Sequence, residues 1–78
     1  MLRSVEHLIE AANHGVKAKT LGNHSMEHDD KAIYYRYYWT VVCQVDKVTG
    51  KATYNNGGYN TSSTTRTINS YREEYGEE

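Results

Sequence analysis

Four groups of residues in this 78-residue chain have types and spacings that could do chemistry. The first is His24 and His28, with Glu27, Asp29 and Asp30 beside them. Imidazole and carboxylate donors suit a divalent metal, and the H-x-x-x-H spacing puts both rings on one face of a helix. Gly22 and Asn23 disfavour a helix there, and the order H-S-M-E-H is not the H-E-x-x-H of zinc proteases. The stretch 22–31 therefore reads as a polar turn or exposed loop, and no metal or cofactor is assigned to it. The second is Cys43, the only cysteine, which would need one of His7, His14, His24 or His28 as a base to become a nucleophile. Its place on the apolar side of a strand pattern makes it an inert small hydrophobe instead.

The third group is NNGGYNTSSTTR, residues 55–66, where glycines and hydroxyls lead into a helix start that carries Arg66. Backbone N–H groups with an arginine are the composition of an anion site. The glycine-to-lysine spacing of a Walker loop is missing, and capping of a helix by serine or threonine accounts for the same letters. The fourth is Tyr34, Tyr35, Tyr37, Tyr38 and Trp39, interrupted by Arg36. Aromatic faces with an arginine suit a stacking platform for single-stranded nucleic acid. Tyrosine with arginine is also the composition of protein-interface anchors.

The elements that position these groups follow from periodicity. Ser4 precedes Val5, Leu8, Ile9 and Ala12, the apolar stripe of a helix over 4–14 with Ser4 as cap and Gly15 as terminator. Residues 16–21 alternate Val16, Ala18 and Thr20 with Lys17 and Lys19, an edge strand protected by lysines. Over 33–45 every odd position is apolar or aromatic, which predicts one long strand with Ile33, Tyr35, Tyr37, Trp39, Val41, Cys43 and Val45 on the core. The even face carries Tyr34, Arg36, Tyr38 and Val42, a surface suited to being covered by something else. Residues 46–50 make a hairpin into a return strand at 51–55, and 55–58 make a sharp turn. Ile68, Tyr71 and Tyr75 then form one face of a second helix, capped by Ser62 or Ser63 and reaching Gly76. The order αβββα predicts a single α+β domain over 1–78, a three-stranded antiparallel sheet flanked by the two helices.

Composition narrows the classes of function. Eight tyrosines, one tryptophan and no phenylalanine give every aromatic ring a polar handle, as suits half-buried or interfacial positions. A lone cysteine rules out an internal disulfide framework and fits a reducing cytosol. No apolar run approaches the length of a membrane span, and Glu6 and Glu10 interrupt the start where a signal peptide is apolar. The formal charge of −1 hides an asymmetry: over 32–72, Arg36, Lys47, Lys51, Arg66 and Arg72 face Asp46 alone, while Glu73, Glu74, Glu77 and Glu78 make an acidic tail. A strong nucleic-acid binder carries a larger basic excess.

From Gly22 to Glu74 the chain resembles a group of small bacteriophage-encoded proteins, largely uncharacterised. The likeness is carried by GNHS, by IYYRYYWTVVCQVD and above all by the NGG-aromatic segment and Arg-x-Ile-Asn helix within 56–69. It implies expression in the host cytoplasm and a role against host defence or host machinery, anti-CRISPR inhibition included, and it transfers no catalytic motif. Residues and resemblance together predict a non-enzymatic inhibitor that binds a host protein, such as a CRISPR-Cas or other defence nuclease or a regulatory complex, and blocks it sterically. Its contacts would be Tyr34, Arg36, Tyr38, Tyr59 and Arg66, with the acidic tail imitating phosphate. The alternatives are a small nucleic-acid or phosphate-ligand module using Arg36, Lys51 and Arg66, and a homodimer formed through the long strand.

Overall fold

The apolar stripe of the first helix sets one side of the core. In the computed structural model, which describes residues 1–76, α1 spans Arg3–Asn13 and buries Val5, Leu8, Ile9 and Ala11. Leu8 and Val5 are wholly buried, each contributing about 2 kcal/mol of apolar transfer. The helix does not begin at a Ser4 cap. Leu2 holds the N-cap position with no side-chain bond, and its N–H donates to Ser70 Oγ at 3.1 Å, so the second helix does the work expected of Ser4. At the other end Gly15, at φ +81°, closes the helix as expected: its N–H reaches the Ala12 carbonyl at 3.1 Å and the Val16 N–H reaches Ala11 at 2.9 Å. These are the paired bonds of a Schellman motif.

The sheet has five strands rather than three: β1 Ala18–Leu21, β2 His24–His28, β3 Ala32–Tyr37, β4 Thr40–Asp46 and β5 Ala52–Tyr54, all antiparallel and adjacent in chain order. One additional strand comes from the polar stretch predicted as a loop. Gly22, at φ +61°, and Asn23 form a two-residue turn, and Asp29 Oδ1 accepts the N–H of Lys31 and Ala32 at 2.8 and 3.0 Å, so HSMEH is folded back between two partners. The bonds from Ala32 and Lys31 also hold the Asp29 carboxyl below the usual carboxylate range.

The other comes from the predicted long strand, which is a hairpin that reverses at Tyr38 and Trp39. Tyr37 pairs with Thr40, so the inward positions pass from odd (Tyr35, Tyr37) to even (Thr40, Val42) across the turn. A bulge then intervenes: Tyr35 pairs with Cys43 but Arg36 pairs with Val41, leaving Val42 as the extra residue. Parity flips a second time, and Cys43 and Val45 face inward on odd numbers again. The two flips cancel, which is why the alternation looks unbroken in the sequence. Val42, assigned above to the covered-by-something-else face, is fully buried.

The row Met26, Tyr35, Cys43 and Tyr54 runs across four strands in register, and both helices pack on this side. Helix α2, Ser62–Tyr75, is capped by Thr61, whose Oγ1 accepts the Thr64 N–H at 3.2 Å, rather than by Ser62 or Ser63. Tyr71 and Tyr35 are both fully buried with ring centroids 4.5 Å apart, and the Tyr35 hydroxyl bonds that of Tyr75 at 2.5 Å. Burial raises both phenols far above their ordinary range. The Tyr71 hydroxyl has no hydrogen-bond partner among the described residues.

That contrast sets a paired test. Tyr35→Phe should lose about 1 kcal/mol in urea unfolding, because Tyr75 is left unpaired, whereas Tyr71→Phe should gain up to about 1 kcal/mol by removing an unsatisfied buried hydroxyl.

Candidate functional site

The β3–β4 reversal puts aromatic rings on the surface. A two-residue hairpin loop requires positive φ, which asparagine or glycine supplies cheaply, and Tyr38 adopts it at φ +56°. It is the sole non-glycine residue with positive φ among the described residues, and its Cβ makes that conformation costly by about 1–2 kcal/mol. Neighbouring bonds hold it there. The Tyr38 N–H donates to the Asn23 carbonyl at 2.8 Å, and Asn23 Nδ2 donates to the Tyr38 hydroxyl at 3.1 Å. Its ring meets Tyr37 edge-on with centroids 4.7 Å apart. Trp39, expected in the core, is instead 93% exposed.

The glycine loop comes up against this turn. Gly57, at φ +62°, lies so close to Thr40 that a Cβ there would sit 2.7 Å from Thr40 Cγ2. That approach brings Tyr59, 62% exposed, to the same side as Tyr38, 58% exposed. Between them lies a groove of about 440 Å³. Buried Val42 and Thr64 form its floor, and the rings of Tyr37, Tyr38, Trp39 and Tyr59 its walls. Thr61 and Ser63, from the start of α2, complete the rim.

Several of the donors that suggested an anion site are used inside the chain. The Gly57 N–H reaches Asn55 Oδ1 at 2.9 Å, the Gly58 N–H reaches Asn56 Oδ1 at 2.8 Å, and the Tyr59 N–H reaches the Asn56 carbonyl at 3.0 Å. Thr61 caps Thr64, as above. Arg66 does not line the aromatic groove. It borders a separate, shallower depression with Leu2, Asn69 and Glu73.

The five contact residues read from the sequence therefore fall on three surfaces. Tyr38 and Tyr59 share the groove. Tyr34 and Arg36 lie on the outer face of the sheet, opposite the helices, where Arg36 is ion-paired with Glu27. Arg66 stands apart. Trp39, Tyr37, Thr61 and Ser63 join the groove without a sequence signal: period-two counting sends Trp39 inward because no turn residue marks the reversal, and Tyr37, Thr61 and Ser63 read as core or capping positions. The other chemistry-bearing groups are occupied. His24 stacks on Tyr37 with centroids 4.9 Å apart, and His28 Nδ1 bonds Lys47 Nζ at 2.7 Å. Burial pushes the Cys43 thiol up to about 12, so it stays protonated. Among the described residues no three His, Cys, Asp or Glu side chains gather at one point, and no helix is long and apolar enough to cross a membrane. Glu73 and Glu74 of the acidic tail belong to α2, and Glu77 and Glu78 lie outside the described residues.

Two outcomes follow. Gly58→Ala meets open space and should cost about 1 kcal/mol for its left-handed backbone alone, while Gly57→Ala should cost about 2–3 kcal/mol because it also collides with Thr40; thermal denaturation separates them. The second concerns His24, whose pKa burial lowers from 6.5 and whose Nδ1 is buried without a hydrogen bond. The unfolded chain then takes up this proton more readily than the folded one, so its contribution to stability is whole above about pH 6.5 and falls as pH drops below it. Urea midpoints of wild type and His24→Asn should converge on acidification through that range.

No family model matches the chain, and neither a curated protein nor a solved structure matches it.

Proposed function

We propose that this chain is a non-enzymatic binding protein that docks on a host protein through the aromatic groove and blocks it sterically. The observation that carries this reading is the exposure of Trp39, Tyr38 and Tyr59 around one groove. A tryptophan ring offers about 200 Å² to a partner, on the order of 4–5 kcal/mol of transfer free energy before the costs of association. Tyrosine and tryptophan are the residues that dominate binding energy at interfaces. The left-handed Tyr38 points the same way, because strained backbone concentrates where a surface has been shaped for use. Steric blocking asks nothing further of the chemistry. The resemblance to phage proteins supplies the finer reading, an inhibitor of a CRISPR-Cas or other defence nuclease acting in the host cytoplasm.

The alternatives draw less support. A nucleic-acid module needs convergent cations, yet Arg36 is committed to Glu27, Arg66 borders another depression, and among the described residues no charged one lines the groove. A dimer through the long strand needs a free edge, and β3 and β4 are both paired on two sides.

The test is native capture from host cells with the chain as bait, followed by assay of the captured enzyme with and without added chain. Wild type should retain one partner and depress its activity. Trp39→Ala combined with Tyr59→Ala should weaken retention by about tenfold or more, with the melting curve nearly unchanged because both side chains are exposed. Equal retention by that double variant, or undiminished activity at saturating chain, would overturn the proposal.

A further inference from the structure

We infer that the groove takes one kind of anchor: an uncharged apolar side chain, aliphatic or aromatic, projecting from a protein partner. This rests on the docking reading above and goes beyond it by naming the chemistry of the contact. Three observations carry it.

The first is charge. Among the described residues every one that lines the groove is uncharged, although the chain as a whole carries nine basic and ten acidic residues. A carboxylate, ammonium or phosphate entering it would lose water and meet no counter-charge, which is a strong penalty.

The second is hydrogen-bond accounting. Several polar atoms at the rim are bonded within the chain. Asn56 Nδ2 donates to Asn60 Oδ1 at 2.8 Å, and Asn56 Oδ1 accepts from Gly58. Thr61 Oγ1 serves the Thr64 N–H and is within hydrogen-bond reach of the hydroxyls of Thr64 and Ser63. The Tyr38 hydroxyl already accepts from Asn23. An apolar group would leave these bonds undisturbed and needs no polar partner of its own. Most of the groove's exposed surface is carbon: the rings of Trp39, Tyr38 and Tyr59, with Val42 beneath them.

The third is size and rigidity. A groove of about 440 Å³ lies within the range of small-ligand sites and has room for a large side chain with part of its backbone. Its two walls are held before any partner arrives, one by the Tyr38–Asn23 bonds and the other by the contact of Gly57 with Thr40. Preorganised walls spare the ordering cost on binding. Single-stranded nucleic acid would also present flat faces to these rings, but it brings a phosphate with each base and the groove has no cation to receive it.

Trp39 is the only tryptophan, so its emission reports on the groove directly. The probes are capped tripeptides Ac-Gly-X-Gly-amide with X as Phe, Leu, Glu or Lys, and a short oligodeoxythymidine. The Phe and Leu peptides should move Trp39 emission to shorter wavelength and shift the backbone amides of Val42 and Thr64, with Kd on the order of 1 mM for a single anchor. The Glu and Lys peptides should bind about tenfold or more weakly. Ser63→Lys, which places a cation at an exposed rim position, should raise the affinity of the Glu peptide relative to the Phe peptide by about tenfold. Binding of the charged peptides within about threefold of the Phe peptide, tighter binding of the oligonucleotide, or no response to any probe would overturn the inference. Docking itself is judged by the capture experiment, so loss of retention in the Trp39 and Tyr59 variant alongside indifferent peptides would leave docking standing and remove only the anchor chemistry.

Discussion

The hydrogen bond from the Tyr38 N–H to the Asn23 carbonyl, 2.8 Å long, ties the turn between β3 and β4 to the turn between β1 and β2. Most of the aromatic groove depends on that tie. A tyrosine in left-handed backbone is unfavourable by itself, and a two-residue hairpin lacking asparagine or glycine would open or slide in isolation. With Asn23 gripping both the amide and the hydroxyl of Tyr38, the reversal is held in one register. Trp39, next in the chain, then has nowhere to go but outward. Thr40 begins the following strand at the point where the glycine loop can lie against it, and Tyr59 is delivered to the same groove.

The absence of phenylalanine makes more sense once the tyrosines are placed. Tyr35 and Tyr71 are core residues whose rings touch each other, and the Tyr35 hydroxyl reaches Tyr75 at the margin of the core. Tyr38 and Tyr59 keep most of their surface in water. Tyr34 lies on the outer sheet face, on the side away from both helices. One residue type thus serves as core filler, as bridge between helix and sheet, and as exposed anchor. Its amphipathic ring suits both settings, apolar on its faces and polar at its tip.

Charge plays a smaller part than the segment totals suggest. The basic excess between residues 32 and 72 is dispersed by folding: Arg36 is neutralised by Glu27 across the strand pair, Lys47 is turned toward His28, and Arg66 sits on the far side of the α2 start from the aromatic rings. What had the letters of a concentrated cationic hairpin is a set of separate charges, of which Arg36 is ion-paired with Glu27. Uncharged residues line the groove by contrast, and the molecule's most exposed large ring, Trp39, is part of it.

The amino-acid sequence by itself determined the two helices, the α+β class and the identity of most core residues. These rest on local rules: an apolar stripe with period near 3.6, a glycine to end α1, and inward alternation on strands. Alternation also placed Tyr34 and Arg36 correctly on the outer face, and Tyr38 on the surface. Only the tertiary structure decided the number of strands and the site. Periodicity cannot register a hairpin and a bulge that reverse parity twice within five residues, from Tyr38 to Val42, because the second flip restores the pattern the first one broke. The turn has no glycine, asparagine or proline to announce it, since its backbone is held by Asn23, fifteen residues earlier in the chain. Trp39 therefore reads as core in one dimension and stands in water in three, for a reason that lies in a long-range hydrogen bond rather than in its own neighbours.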